Sequence, residues 1–196
     1  MMTSVSVDVE KTMQRSFLIL SALVLAMFMP LSAAVAQLTP GSPVGEMTLD
    51  RADENSAWRL SSAVTVDGRA PASPRGVYIQ FGFMGCEPCE RLATLAGEVF
   101  GDRVTMVYIH LDDVLIGAME LRAIWTQLYE VTRTGPYAPF IPVRRGSSGM
   151  MRELCGSDAN APSGLLISPD GTLHSLLLSP SVDEARALFA TFLETL

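Results

Sequence analysis

A largely apolar run, Val77-Tyr78-Ile79-Gln80-Phe81, leads almost directly into Gly85-Cys86-Glu87-Pro88-Cys89, and a helical pattern from Arg91 to Phe100 follows. A strand that delivers two cysteines to the start of a helix leaves few folds open. Cysteines separated by two residues in a first helical turn lie close enough to form a disulfide, and the helix N-terminus stabilises a thiolate on the first. Cys86 is thus the candidate nucleophile, and Cys89, one turn deeper, is the candidate resolving thiol that attacks a mixed disulfide on Cys86 and releases the partner.

Other uses of such a pair are weighed against this one. A zinc site wants four ligands, and only Cys155, His110 and His174 remain to complete it, so no metal is expected. Covalent haem attachment needs a histidine directly after the second cysteine, where Glu90 stands. A purely structural disulfide stays open, although so short a loop constrains the unfolded chain little. Redox exchange needs no cofactor beyond the two sulfurs.

Residues 1–36 read as an export signal. Lys11 and Arg15 precede an apolar stretch from Phe17 to Leu31, and Ser32-Ala33-Ala34-Val35-Ala36 offers small residues for cleavage. The alternative is an uncleaved membrane anchor, since Phe17 to Ala36 approaches the length of a bilayer span. In both cases the rest of the chain is expected outside the cytoplasm, where disulfides persist unless a dedicated donor reduces them. Membrane contact is expected only if the segment stays attached. Cys155, the odd cysteine, reads as a buried apolar residue or as a possible extra thiol.

The remaining chain, about 160 residues, suits one domain with a sizeable core. The net charge of −7 belongs to this part, because Lys11 and Arg15 offset Asp8 and Glu10 in the leader. No lysine follows Lys11, and scattered arginines make no basic stripe, so no nucleic-acid partner is expected. Residues 37–46 are rich in Pro and Gly and read as a linker, with order expected from about Met47.

Residues 47–196 divide into alternating elements. Met47-Thr48-Leu49 and Trp58-Arg59-Leu60 read as an N-terminal hairpin, Val77–Phe83 and Val104–Leu111 as strands, and Cys86–Phe100 as a helix between them with Cys89, Leu92, Leu95, Ala96 and Val99 on one face. Strand, helix, strand predicts a parallel pair, and continuous apolar strands predict a sheet covered on both sides. A second helix is expected over Ile116–Val131, an edge strand at Phe140–Val143 and a short helix at Met150–Leu154. Gly164–Ser168 and Thr172–Leu177 flank the turn Pro169-Asp170-Gly171 as a hairpin. Ser181-Val182-Asp183-Glu184 is a capping box opening a last helix with Val182, Ala185, Leu188, Phe189, Phe192 and Leu193 on its apolar face. His110 and His174 read as packing or surface residues, and Asp112-Asp113 as the polar end of a strand rather than a paired acid site.

Taken in order, these elements resemble the thioredoxin-like fold from about Met47 to Leu196: an α/β domain with a central mixed β-sheet flanked by helices and an N-terminal β-hairpin. The stretch Gln80-Phe81-Gly82-Phe83-Met84-Gly85-Cys86-Glu87-Pro88-Cys89 is most similar to the TlpA and ResA type, extracytoplasmic thiol-disulfide oxidoreductases of cytochrome c maturation and related cysteine reduction. The segment from Ala161-Pro162 to Asp170-Gly171 resembles the stretch that carries the cis-proline of that group. The resemblance implies that Pro162 is cis and that the Ala161-Pro162 loop lies beside the dithiol and binds client peptide. It implies that Glu87, Pro88 and Gln80 tune the pair, Glu87 by opposing a thiolate on Cys86. This chain departs from the pattern at Gly85, where a tryptophan is usual, at Gln80, where thioredoxin has an acid, and at Leu92, where ResA has a glutamate.

Three functions remain in view. The first is an exported reductant of client protein disulfides, supplied with electrons by a membrane thiol donor. The second is an oxidase or isomerase using the same residues in the other direction, since potential sets direction and motif letters do not. The third is a non-enzymatic binding or metal-delivery module in which the disulfide is structural.

Overall fold

The computed structural model describes residues 38–51, 56–83, 85–111, 135–146 and 148–196, all within one compact unit, Ala36–Leu196. The expected leader over residues 1–36, the helix expected over Ile116–Val131 and the pair Asp112-Asp113 lie outside the described residues. No helix among the described residues is long and apolar enough to cross a membrane.

Seven strands and three α-helices are described. Strands β1 (Thr48–Asp50) and β2 (Ala57–Arg59) form an antiparallel pair, with Leu49 opposite Trp58. A five-stranded sheet follows, built from β3 (Gly76–Gly82), β4 (Val104–Leu111), β5 (Ile141–Gly146), β6 (Ser163–Ile167) and β7 (Leu173–Leu178), in the order β5-β4-β3-β6-β7. The helices are α1 (Glu87–Phe100), α2 (Ser148–Cys155) and α3 (Val182–Leu193). β3 pairs parallel with β4 and antiparallel with β6, so the sheet is mixed, with β3 at its centre. β5 tolerates Pro142 because it lies at the sheet edge, where a missing N–H breaks no inner ladder.

Both faces of the sheet are covered, and the side-chain period of two along β3 divides the core. Val77, Ile79 and Phe81 point to one side, where Leu49, Trp58, Leu60 and Val64 from the N-terminal segment and Met151 and Cys155 from α2 close the layer. Tyr78 points to the other, with Tyr108 from β4, Leu92, Ala96 and Phe100 from α1, and Phe189 and Phe192 from α3. This second layer is strongly aromatic: Phe100 and Phe189 have ring centroids 4.5 Å apart, and Tyr78 meets Phe189 edge-on at 5.1 Å.

Two expectations are corrected. Residues 38–46 are not a free linker: Gly41 N–H donates to the Leu173 carbonyl, Val44 N–H donates to Gly171, and Val44 is buried in the core. The apolar Val44 side chain and these backbone bonds draw the Pro/Gly-rich segment onto the start of β7, ahead of Met47. Val182 does not join the apolar face of α3 and is 40% exposed, because the first helical residue stands beside the capping box at solvent. The box itself forms, Ser181 accepting from Glu184 N–H and the Glu184 carboxylate accepting from Ser181 N–H.

The aromatic layer and the helix start should therefore respond very differently to truncation. Phe189→Ala is expected to lower unfolding free energy by about 3–5 kcal/mol, and Val182→Ala to change it by less than about 0.5 kcal/mol, as read from urea denaturation midpoints.

Candidate active site

β3 ends at Gly82, and the chain turns through Gly85, whose φ of +74° lies in the left-handed region where an L side chain is strained. That conformation favours glycine at this position. Among the described residues, nothing lies within 4 Å of where a side chain on Gly85 would start.

Cys86 and Cys89 are joined in a disulfide with Cα atoms 5.2 Å apart. Cys86 is the N-cap of α1 rather than part of its first turn, and its sulfur accepts from the Cys89 N–H at 3.2 Å. The same N–H, together with the helix dipole, would stabilise a Cys86 thiolate after reduction. Pro88 falls in the first turn, where a missing backbone N–H costs no helical hydrogen bond. Cys86 retains 4% exposure and Cys89 none, so Cys86 is the outer sulfur; Gly85, Glu87 and Pro88 around it are exposed.

Gln80 anchors the site from below. Its side-chain N–H donates to the Cys89 carbonyl at 2.8 Å, and its Oε1 accepts from the Tyr78 hydroxyl at 3.2 Å. The amide is fully buried and its bonds fix the first turn of α1 to the central strand. Glu87 does not face the dithiol with an unopposed charge. Its carboxylate forms an exposed ion pair with Arg91 one turn along α1.

The Ala161–Pro162 peptide is cis. Pro162 precedes β6, and Ser163 lies opposite Phe81 near the end of β3, so the loop is at the same end of the sheet as the turn into α1. The Pro162 carbonyl accepts from Ser179 N–H at 2.9 Å, and Ser163 Oγ donates to the Asn160 carbonyl. Leu92 is buried in the aromatic layer, where leucine adds apolar surface.

Cys155 lies on the other side of the sheet from α1. It is buried at the end of α2 in the opposite layer, and burial pushes its thiol up to about 12. His174 is half-buried with its ring 5.2 Å from that of Phe192. His110 is fully buried opposite Gly82, and burial lowers its pKa from 6.5 to about 4. No group of three or more His, Cys, Asp or Glu side chains converges on a metal-sized site among the described residues.

Sequence reasoning passed over Gly82 and Tyr108. A methyl built on Gly82 would stand 3.0 Å from the Cys89 sulfur and 3.0 Å from Cζ of Tyr108, with the phenol oxygen closer still. The sulfur and the phenol thus share one small space that only glycine leaves open. The strand alternation of Tyr78, Gln80 and Gly82 was the available signal, but the partner on β4 depends on register.

No family model and no curated protein matches the chain. Solved structures do. The chain is similar to a candidate protein disulfide isomerase from Bacteroides thetaiotaomicron, with a TM-score of 0.57 at 16% identity over 81% of this chain and 91% of the other. It is similar to the thioredoxin domain of a thiol-disulfide oxidoreductase from Bacteroides vulgatus, with a TM-score of 0.55 at 15% identity over 80% and 99%. A candidate thiol:disulfide interchange protein DsbE from Chlorobium tepidum gives 0.56 at 15% identity over 81% and 99%. Likeness of this kind speaks for the backbone: the chain has a thioredoxin-like fold, and function has to be argued from the site.

The buried imidazole gives the site a pH signature. Above pH 6.5 His110 is neutral in folded and unfolded chains and adds no pH dependence. As pH falls from 6.5 toward 4 the unfolded chain binds the proton first, so folding loses on the order of 2–3 kcal/mol through this residue. Urea midpoints measured across that range should fall more steeply for the native protein than for His110→Asn, whereas parallel profiles would contradict a neutral buried imidazole.

Proposed function

We propose that this chain is an exported thiol-disulfide oxidoreductase that reduces disulfides in client proteins outside the cytoplasm, with Cys86 as the attacking thiol and Cys89 as the resolving thiol. The observation that carries the reading is the Cys86–Cys89 pair at the start of α1, the outer sulfur capping the helix and the inner one sealed against β3. The thioredoxin-like backbone supports it, since the similar structures include proteins described as thiol-disulfide oxidoreductases and interchange proteins. Cytochrome c maturation is one setting for such chemistry, by resemblance to the ResA type.

The reaction follows from the arrangement. The reduced Cys86 thiolate attacks a client disulfide, one client sulfur leaves as a thiolate, and a mixed disulfide forms. Cys89 loses its proton and attacks the Cys86 sulfur, the bond from Cys86 to the client breaks, and the second client sulfur leaves. The client gains two electrons, and the pair ends as the disulfide seen here. A membrane thiol donor returns it to the dithiol. The cis Ala161–Pro162 loop, at the same end of the sheet, is assigned to holding the client's extended backbone.

A second reading has one observation in its favour. At 4% exposure Cys86 offers little surface to a client, as a structural disulfide in a binding module would. Substitution separates the two. In a coupled insulin-reduction assay Cys86→Ser should lose essentially all turnover, and Cys89→Ser should accumulate mixed disulfides with client protein on non-reducing gels. Retained turnover in Cys86→Ser, or the absence of any mixed disulfide in Cys89→Ser, would leave the binding module.

A further inference from the structure

The resolving step requires Cys89 to become a thiolate in a site without a nearby titrating acid or base from position 80. Gln80 cannot take up a proton at neutral pH, and its amide is committed to the Cys89 carbonyl and the Tyr78 hydroxyl. Glu87 is engaged by Arg91. A fully buried thiolate with no donor would carry a large desolvation cost, which would raise its pKa and slow attack.

A polar group does stand near the sulfur, bordering the same Gly82. β4 runs parallel to β3 with Tyr108 opposite Gln80, which sends the phenol along the same face toward Gly82. There the phenol and the Cys89 sulfur flank the glycine, each close enough to the same Cα to clash with a methyl. The ring of Tyr137 packs against that of Tyr108 with centroids 4.5 Å apart, which places a second phenol beside the first. We propose that the Tyr108 hydroxyl donates to the Cys89 thiolate in the mixed disulfide and so stabilises it for attack on Cys86, with Tyr137 as the positioning partner behind it.

The surrounding charges are consistent with a donor rather than a base. Burial, and then Tyr137, push the Tyr108 phenol far above its ordinary pKa, and Tyr137 is raised to about 12, first by burial. Tyr78 on β3 is raised likewise by burial. Glu90 on α1 acts on Tyr108 and Tyr137 and disfavours their ionisation further. His110, the other titratable residue on this face of β4, is neutral well above its pKa of about 4. The tyrosines therefore stay protonated across neutral pH, and the proton released by Cys89 goes to solvent. On reduction the Tyr108 O–H turns to sulfur, and Tyr137, packed against it, is the neighbour that can donate to the Tyr108 oxygen.

This inference rests on the dithiol reading above, and one experiment separates their failures. The reduced protein is mixed with dithiobis(nitrobenzoate) in a stopped-flow instrument from about pH 6 to 10. The first thionitrobenzoate is released when Cys86 attacks, the second when Cys89 resolves the mixed disulfide. Tyr108→Phe should leave the first phase unchanged, slow the second about ten-fold at neutral pH and raise its pH midpoint by about one unit, and Tyr137→Phe should do the same more weakly. If the first phase is missing in the native protein, the dithiol reading and this inference both fall. If it is present and the second phase of Tyr108→Phe keeps its rate and midpoint, only the inference falls. Should Tyr108→Phe fail to fold, the native protein decides: its reduced-minus-oxidised ultraviolet difference spectrum should carry a tyrosine band, and a spectrum without one overturns the proposal.

Discussion

The hydrogen bond from the Gln80 side chain to the Cys89 carbonyl, 2.8 Å long and fully buried, ties the first turn of α1 to the central strand, and the site depends on it. A buried amide left without partners costs about 1–3 kcal/mol, so the strand and the helix start hold each other in one position. With that position set, Cys86 caps the helix, and the Cys89 sulfur and the Tyr108 phenol both border the space left by Gly82. The two-sided core does the remaining positioning. β3 has Val77, Ile79 and Phe81 held on one side and Tyr78 among aromatic rings on the other, which leaves its end little freedom.

Much of this fold could be read from residue order because the local signals were strong and agreed with one another. The apolar runs at Val77 and Val104 became β3 and β4, and a crossover of this length with a helix between them made them parallel. Pro169-Asp170-Gly171 turned the chain between β6 and β7, and Ser181 capped α3 through the box that its spacing to Glu184 announces. What failed to show was whatever depended on contacts distant in sequence. The Pro/Gly content of residues 38–46 reads as a tether, yet the docking of Val44 depends on where β7 lies. Val182 fits the helical period, but its exposure depends on how α3 meets the sheet.

The site divides in the same way. The spacing of Cys86 and Cys89 announces a disulfide at a helix start, but that Cys86 caps the helix rather than opening its first turn shows only in the backbone. The cis peptide at Ala161–Pro162 came only through resemblance, because no local rule separates it from an ordinary proline at the start of a strand. The pairing of Glu87 with Arg91 was open to reading, since residues four apart meet on a helix, but it was not drawn from the sequence. Tyr108 was invisible because its relation to Cys89 runs through the pairing of β3 with β4 and through the missing side chain of Gly82.

Redox exchange at Cys86–Cys89 is the central claim, and the equilibrium potential of that pair tests it most directly. The chain from Gln37 onward would be equilibrated in dithiothreitol and glutathione buffers, with Cys155→Ser as a control, and the two states quantified by thiol alkylation and mass spectrometry. The account predicts reversible exchange with a potential below about −250 mV, near that of thioredoxin, as befits a reductant. A value near −120 mV would make the protein an oxidant. A pair that exchanges with neither buffer would contradict the account outright.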